Sequence, residues 1–261
     1  MLMPEKTNLL FWVAGTGLLS AFATGLGAIP VAFISKGSQK IQAFSGAIAA
    51  GMMISASVFS LAQEGISLKA TRPSAPYEVI FGLQIGAAFF WFVEKKMSGK
   101  NIGWIKLSSG GARRGLLIFI AMLIHSFPEG VAIGVGFGTN DFGFGLLIAL
   151  AISIHNIPEG IAISLPLRSE GASFGKCFWL SVLSSMPQPL AAVPAALSVW
   201  FFQPLLAVGL GFAAGAMIYL VALELIPEAL QFAGKTATAW GVMIGLSGML
   251  LLTTLLDLIA K

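Results

Sequence analysis

Eight apolar runs fix what this chain can become, at 9–33, 41–65, 77–94, 114–138, 142–167, 175–201, 204–229 and 237–260. Each is near the roughly 20 residues a helix needs to cross a hydrocarbon core about 30 Å thick. With 57% hydrophobic and 10% charged residues, the chain cannot hide that much apolar surface in one soluble core. The runs therefore predict an all-α polytopic membrane protein of eight transmembrane helices. The break between the sixth and seventh rests only on Pro204 and the length limit. No linker or shift of composition separates a second unit, so residues 1–261 read as one transmembrane domain. The first run is too long for the core of a cleaved signal peptide and reads as a retained helix.

The charges follow the same plan. Counting lysines and arginines in alternate loops puts 11 on one side and 4 on the other, counting Lys6 and Lys261 with the 4. By the excess of positive charge in cytoplasmic loops, both termini lie outside the cytoplasm. The net charge of +4 is spread over these loops, so it is a topology signal and implies no nucleic-acid partner. The one sizeable cytoplasmic loop, about 95–113, is rich in Lys, Ser and Gly and reads as flexible. Cys177 is the single cysteine, which excludes a disulfide framework or a zinc site of several thiolates.

Two hexads interrupt the fourth and fifth runs: His125-Ser126-Phe127-Pro128-Glu129-Gly130 and His155-Asn156-Ile157-Pro158-Glu159-Gly160. Both histidines of the chain are their first residues. Ionisable groups at membrane depth are costly and functional as a rule. Residues four apart share a helix face, so His125 points with Glu129 and His155 with Glu159. Two imidazoles and two carboxylates on adjacent antiparallel helices can converge on one ion, and two negative charges balance one divalent cation. The donor set suits Zn²⁺, with Fe²⁺, Mn²⁺, Co²⁺ and Cd²⁺ as other candidates. Pro128 and Pro158 remove helix hydrogen bonds beside the site, so both helices are expected to kink there. Freed carbonyls at membrane depth line the ion sites of transporters. The bland alternative is His–Glu pairing as glue within a bundle.

At these residues the chain resembles the ZIP (Zrt/Irt-like) family of divalent-metal transporters, bacterial branch. The resemblance implies an elevator-like transporter in a bacterial inner membrane, moving a divalent ion toward the cytoplasm without a cofactor. It also suggests a homodimer. Residue by residue, His125 and Glu129 match ligand positions of the fourth helix, and His155, Asn156 and Glu159 those of the fifth. Met53 looks like the family's thioether near the metal, although Met also serves as apolar filler. Glu224 resembles an acidic residue near the transport path, and its depth in an apolar run supports a functional reading.

The departures matter. Ser126 stands where Asn is usual, Gln188 where Glu often precedes Pro, and Asn156 where some members carry Asp. These positions hold a second metal in binuclear members, and here they offer neutral groups. Two divalent ions a few ångströms apart repel strongly. The expectation is therefore one tightly held metal, with Ser126, Asn156 and Gln188 at most assisting. Two readings compete with transport: an intramembrane hydrolase with metal-activated water, which needs an open coordination position, and a metal-gated sensor without net flux. His-x-x-Pro-Glu is not the His-Glu-x-x-His of zinc proteases.

Overall fold

The computed structural model describes residues 6–33, 39–98, 110–139, 141–169, 171–202 and 205–260, and most of their side chains; the His125 side chain lies outside the described set. All regular structure among the described residues is helical: α1 Lys6–Leu26, α2 Ala28–Ala32, α3 Gln39–Ser55, α4 Gln63–Ser67, α5 Ala75–Ser98, α6 Gly110–Gly138, α7 Phe142–Ser169, α8 Phe174–Ser184, α9 Pro187–Phe201, α10 Leu205–Leu220, α11 Ile226–Phe232 and α12 Lys235–Ala260. π-Helical turns at Ala56–Ala62 and Val221–Leu225 join α3 to α4 and α10 to α11.

Among the described residues, seven stretches are long and apolar enough to cross a membrane: Asn8–Ala32, Gln39–Ala70, Ala75–Val93, Phe142–Leu165, Phe174–Phe201, Leu205–Phe232 and Lys235–Leu255. They correspond to seven of the eight apolar runs. The remaining run falls on α6, a helix of 29 residues. Large apolar side chains such as Phe33, Tyr77 and Phe201 stand exposed on these helices, as a bilayer-facing surface requires.

Local chemistry departs from the runs in three places. The first run stops at Leu26 and resumes at Ala28, with Gly27 N–H turned back to the Thr24 carbonyl at 3.1 Å. The run 175–201 is two helices, because Pro187 and Pro189 have no N–H to continue the ladder past Ser184. Pro187 instead opens α9, where a missing N–H costs nothing. The loop expected at about 95–113 is shorter, since α5 runs to Ser98 and α6 starts at Gly110; residues 99–109 lie outside the described set. Both Pro128 and Pro158 sit inside helices that continue past them.

The helices sort into two groups. In one, α1, α6, α7, α8 and α9 pack on each other; in the other, α3 packs on α12 and α5 on α10. The α5–α10 contact is close because glycines face backbone from both sides. A Cβ on Gly82 or Gly86 would overlap the Val208 or Phe212 carbonyl, and one on Gly211 or Gly215 that of Val79 or Leu83. Such small-residue faces are how membrane helices gain packing without a hydrophobic drive. Where the groups meet, α6 lies on α10 and α3 on α7, around a buried core that includes Met53, Ile133, Ile148, Leu210 and Met217.

Candidate metal centre

Glu129 of α6 and His155 and Glu159 of α7 converge in the first group. One ligand-capable atom from each lies within 4.8 Å of the others, and all three residues are buried. His155 Nε2 is 2.9 Å from Glu129 Oε1 and 4.0 Å from Glu159 Oε1. The second contact follows from helix geometry, because a residue and the one four later share a face. The first needs α6 and α7 side by side, and the short turn between Gly138 and Phe142 provides that.

Two glycines bring the neighbouring helices in. A Cβ on Gly130 would overlap the Gln188 carbonyl, and one on Gly160 would overlap the Thr24 carbonyl. Each hexad glycine thus seats a third helix, α9 on α6 and α1 on α7, one residue after the hexad carboxylate.

Those helices supply a chain of amides. Gln188 Nε2 donates to Glu129 Oε2 at 2.5 Å, while Gln188 Oε1 accepts from Asn156 Nδ2 at 3.3 Å. Asn156 Nδ2 also donates to the Ser20 carbonyl and to Ser20 Oγ, both at 3.0 Å. The Ser20 carbonyl is acceptor only, which fixes the Asn156 amide with nitrogen toward α1. Asn156 Oδ1 is then a buried acceptor with no hydrogen-bond donor among the described residues. An orphaned acceptor of this kind is costly, and a cation is a partner that would satisfy it.

Gln188 and Asn156 therefore enter the site as neutral groups. Ser126, also buried, spends its hydroxyl on the Met122 carbonyl at 3.0 Å and approaches Ser185 Oγ at 3.5 Å. Met53 is buried in the core between the groups. Glu224 lies in the π-helical turn and is half-buried, outside the three-residue cluster. His125 belongs to α6, with its side chain outside the described residues.

Sequence reasoning missed the polar residues of α1 and the α8–α9 break. Thr24 Oγ1 meets Ser185 Oγ at 2.7 Å, and Ser20 anchors Asn156. The available signal was Ser20 and Thr24 four apart in an otherwise apolar run, with Ser184-Ser185 just ahead of Pro187.

The ZIP zinc transporter profile matches residues 104–253, more than half of the chain. A putative zinc transporter of Arabidopsis thaliana is 37% identical over 92% of this chain, which spans 38% of that longer protein. The zinc transporter GufA of Myxococcus xanthus is 34% identical over 88% of this chain and 94% of its own length. The zinc transporter ZIPB of Bordetella bronchiseptica is 33% identical over 90% and 78%. A buried His–carboxylate cluster on two neighbouring membrane-length helices, together with these matches, makes the chain a member of the ZIP family, whose members are transporters and not enzymes.

Proposed function

We propose that this chain carries a divalent transition metal, Zn²⁺ foremost, across a bacterial inner membrane toward the cytoplasm. The observation that carries the reading is the buried trio of Glu129, His155 and Glu159. In this reading His125 is the fourth ligand, Asn156 Oδ1 and Met53 assist, and Glu224 acts on the path of the ion. Fe²⁺, Mn²⁺, Co²⁺ and Cd²⁺ share the same donor preferences to differing degrees.

The proposed cycle starts from the hydrogen bond between His155 Nε2 and Glu129. An ionised carboxylate only accepts, so the Nε2 proton lies between the two groups. The incoming cation displaces that proton from Nε2; the ring takes up its other tautomer, with the proton on Nδ1, and the neutral imidazole offers its Nε2 lone pair to the ion. Gln188 keeps Glu129 aimed through the other carboxylate oxygen. Because Gln188 and Asn156 bring no charge, the site holds one ion at a time.

Movement follows an elevator scheme in which the first helix group carries the ion past the second. Its support is that all the trio and its amide partners come from α1, α6, α7 and α9, so the site can travel intact. With α6 as the eighth span, both termini lie on one side, and the excess of Lys and Arg in the opposite loops makes that the outer side.

The deciding experiment is uptake of radiolabelled Zn²⁺ into proteoliposomes by the wild-type chain and by His155→Ala. Uptake that the substitution abolishes is expected. Binding without uptake in the wild type would sink the transport reading in favour of a sensor.

A further inference from the structure

The seam between the two helix groups is not closed along its whole length. An open groove of about 550 Å³ runs between α6, α9 and α10. Its walls include Val131 and Val135 of α6, Leu190 and Ala195 of α9, and Val208 and Phe212 of α10. Among the described lining residues Ser198 alone has a polar side chain, and its hydroxyl already donates to the Pro194 carbonyl at 2.8 Å. Such a groove offers nothing to an ion or to an ordered water, which needs two or more polar partners.

Length and position point to its occupant. The α9 wall runs from Pro187 to Ser198, roughly 16 Å at the rise of an α-helix. That is about half of a hydrocarbon core, the depth of one leaflet. Exposed Leu190 and Leu205 stand at its mouth, and Phe201 and Phe202, at the C-terminal end of α9, are exposed as well. Its other end, at Phe127 and Pro187, adjoins Gln188 of the metal centre.

We propose that this groove is a binding site for one acyl chain of a membrane phospholipid, inserted between the two helix groups. The chain touches both groups, so it takes part in any sliding of one along the other. Only that consequence rests on the transport reading; the binding does not.

The test uses the full chain in vesicles of phosphatidylethanolamine and phosphatidylglycerol doped with a phosphatidylcholine bearing a diazirine at the end of one acyl chain. After photolysis, adducts are mapped by peptide mass spectrometry. Adducts on α9 and α10 groove residues are expected to exceed those on the exposed face of α12, around Trp240 and Leu251, by about tenfold, the ratio that 1.4 kcal/mol of preferential affinity gives. Ser198→Trp and Ala195→Phe, which each fill the groove, should remove that excess and leave α12 labelling unchanged. Equal labelling of groove and α12, or an excess that both variants retain, would overturn the proposal, as would adducts confined to contacts between two copies of the chain. Labelling is read without metal, and Zn²⁺ uptake is measured separately in the same vesicles. A failed transport reading then shows as absent uptake with the groove preference intact, and a failed lipid site as uniform labelling with uptake intact.

Discussion

Glu129 is held from two sides, by Gln188 on one oxygen and His155 on the other. Residues that orient a metal ligand in this way contribute about 10–100-fold to affinity. Gln188→Ala is therefore expected to weaken Zn²⁺ binding by roughly that factor in isothermal titration. Gln188→Glu tests a different property of the same position. A carboxylate there adds the charge a second ion needs, so metal analysis should give two Zn²⁺ per chain, against one in the wild type. Two in the wild type would refute the single-ion reading. Acidity acts with a definite sign, because a bound cation requires a neutral imidazole and ionised carboxylates. Protons compete with the cation for its ligands, so uptake should fall as the medium is acidified from about pH 8 to about pH 5. Uptake that rises with acidity over that interval would contradict ligation by His155.

At the scale of elements, glycines decide which helices can meet at the site. Gly160→Leu would drive a side chain into the Thr24 carbonyl of α1. Overpacking of a tight contact costs about 1–3 kcal/mol, and thermal unfolding in detergent should report it. Gly46 of α3 has open space where a Cβ would stand. Gly46→Ala should raise stability by up to about 1 kcal/mol, the difference in helix propensity. Equal effects at the two positions would mean that the close approach of α1 and α7 has little energetic weight. Much of the centre was legible in the sequence, because His155, Glu129 and Glu159 are ionisable groups where hydropathy allows few. Seven of the eight expected spans were legible for the complementary reason, that apolar length alone marks them. The breaks at Gly27 and at Ser185-Met186 were not, since hydropathy averages over them and does not record which carbonyl each N–H finds. The link from Ser20 to Asn156 was hidden for another reason: it joins residues 136 positions apart, and no local pattern announces such a pair.

For the whole molecule the question is whether one helix group moves against the other. Gly209 of α10 faces Val135 of α6, and a Cβ built on Gly209 would lie 3.8 Å from the Val135 Cβ. That separation suits a disulfide, whose Cβ atoms sit about 3.5–4.5 Å apart. The double variant Val135→Cys with Gly209→Cys is expected to cross-link on oxidation, to stop Zn²⁺ uptake and to recover it on reduction. Unchanged uptake in a fully cross-linked sample would exclude sliding along this seam. The native Cys177 is buried in α8, within the first group, so it does not compete for the bridge. The π-helical turns carry a consequence of another kind. A π turn closes its hydrogen bond five residues back instead of four, so it stores one surplus residue. Removing Ala222 from the turn at Val221–Leu225 should let an ordinary α turn form, with both flanking faces still aimed as before. Removing Ile152 from the unbroken α7 would instead swing everything after it by about 100° and turn His155 and Glu159 together away from Glu129 of α6. The chain thus has marked places where its length can change by one without loss of aim, and expression of the two deletion variants would locate them.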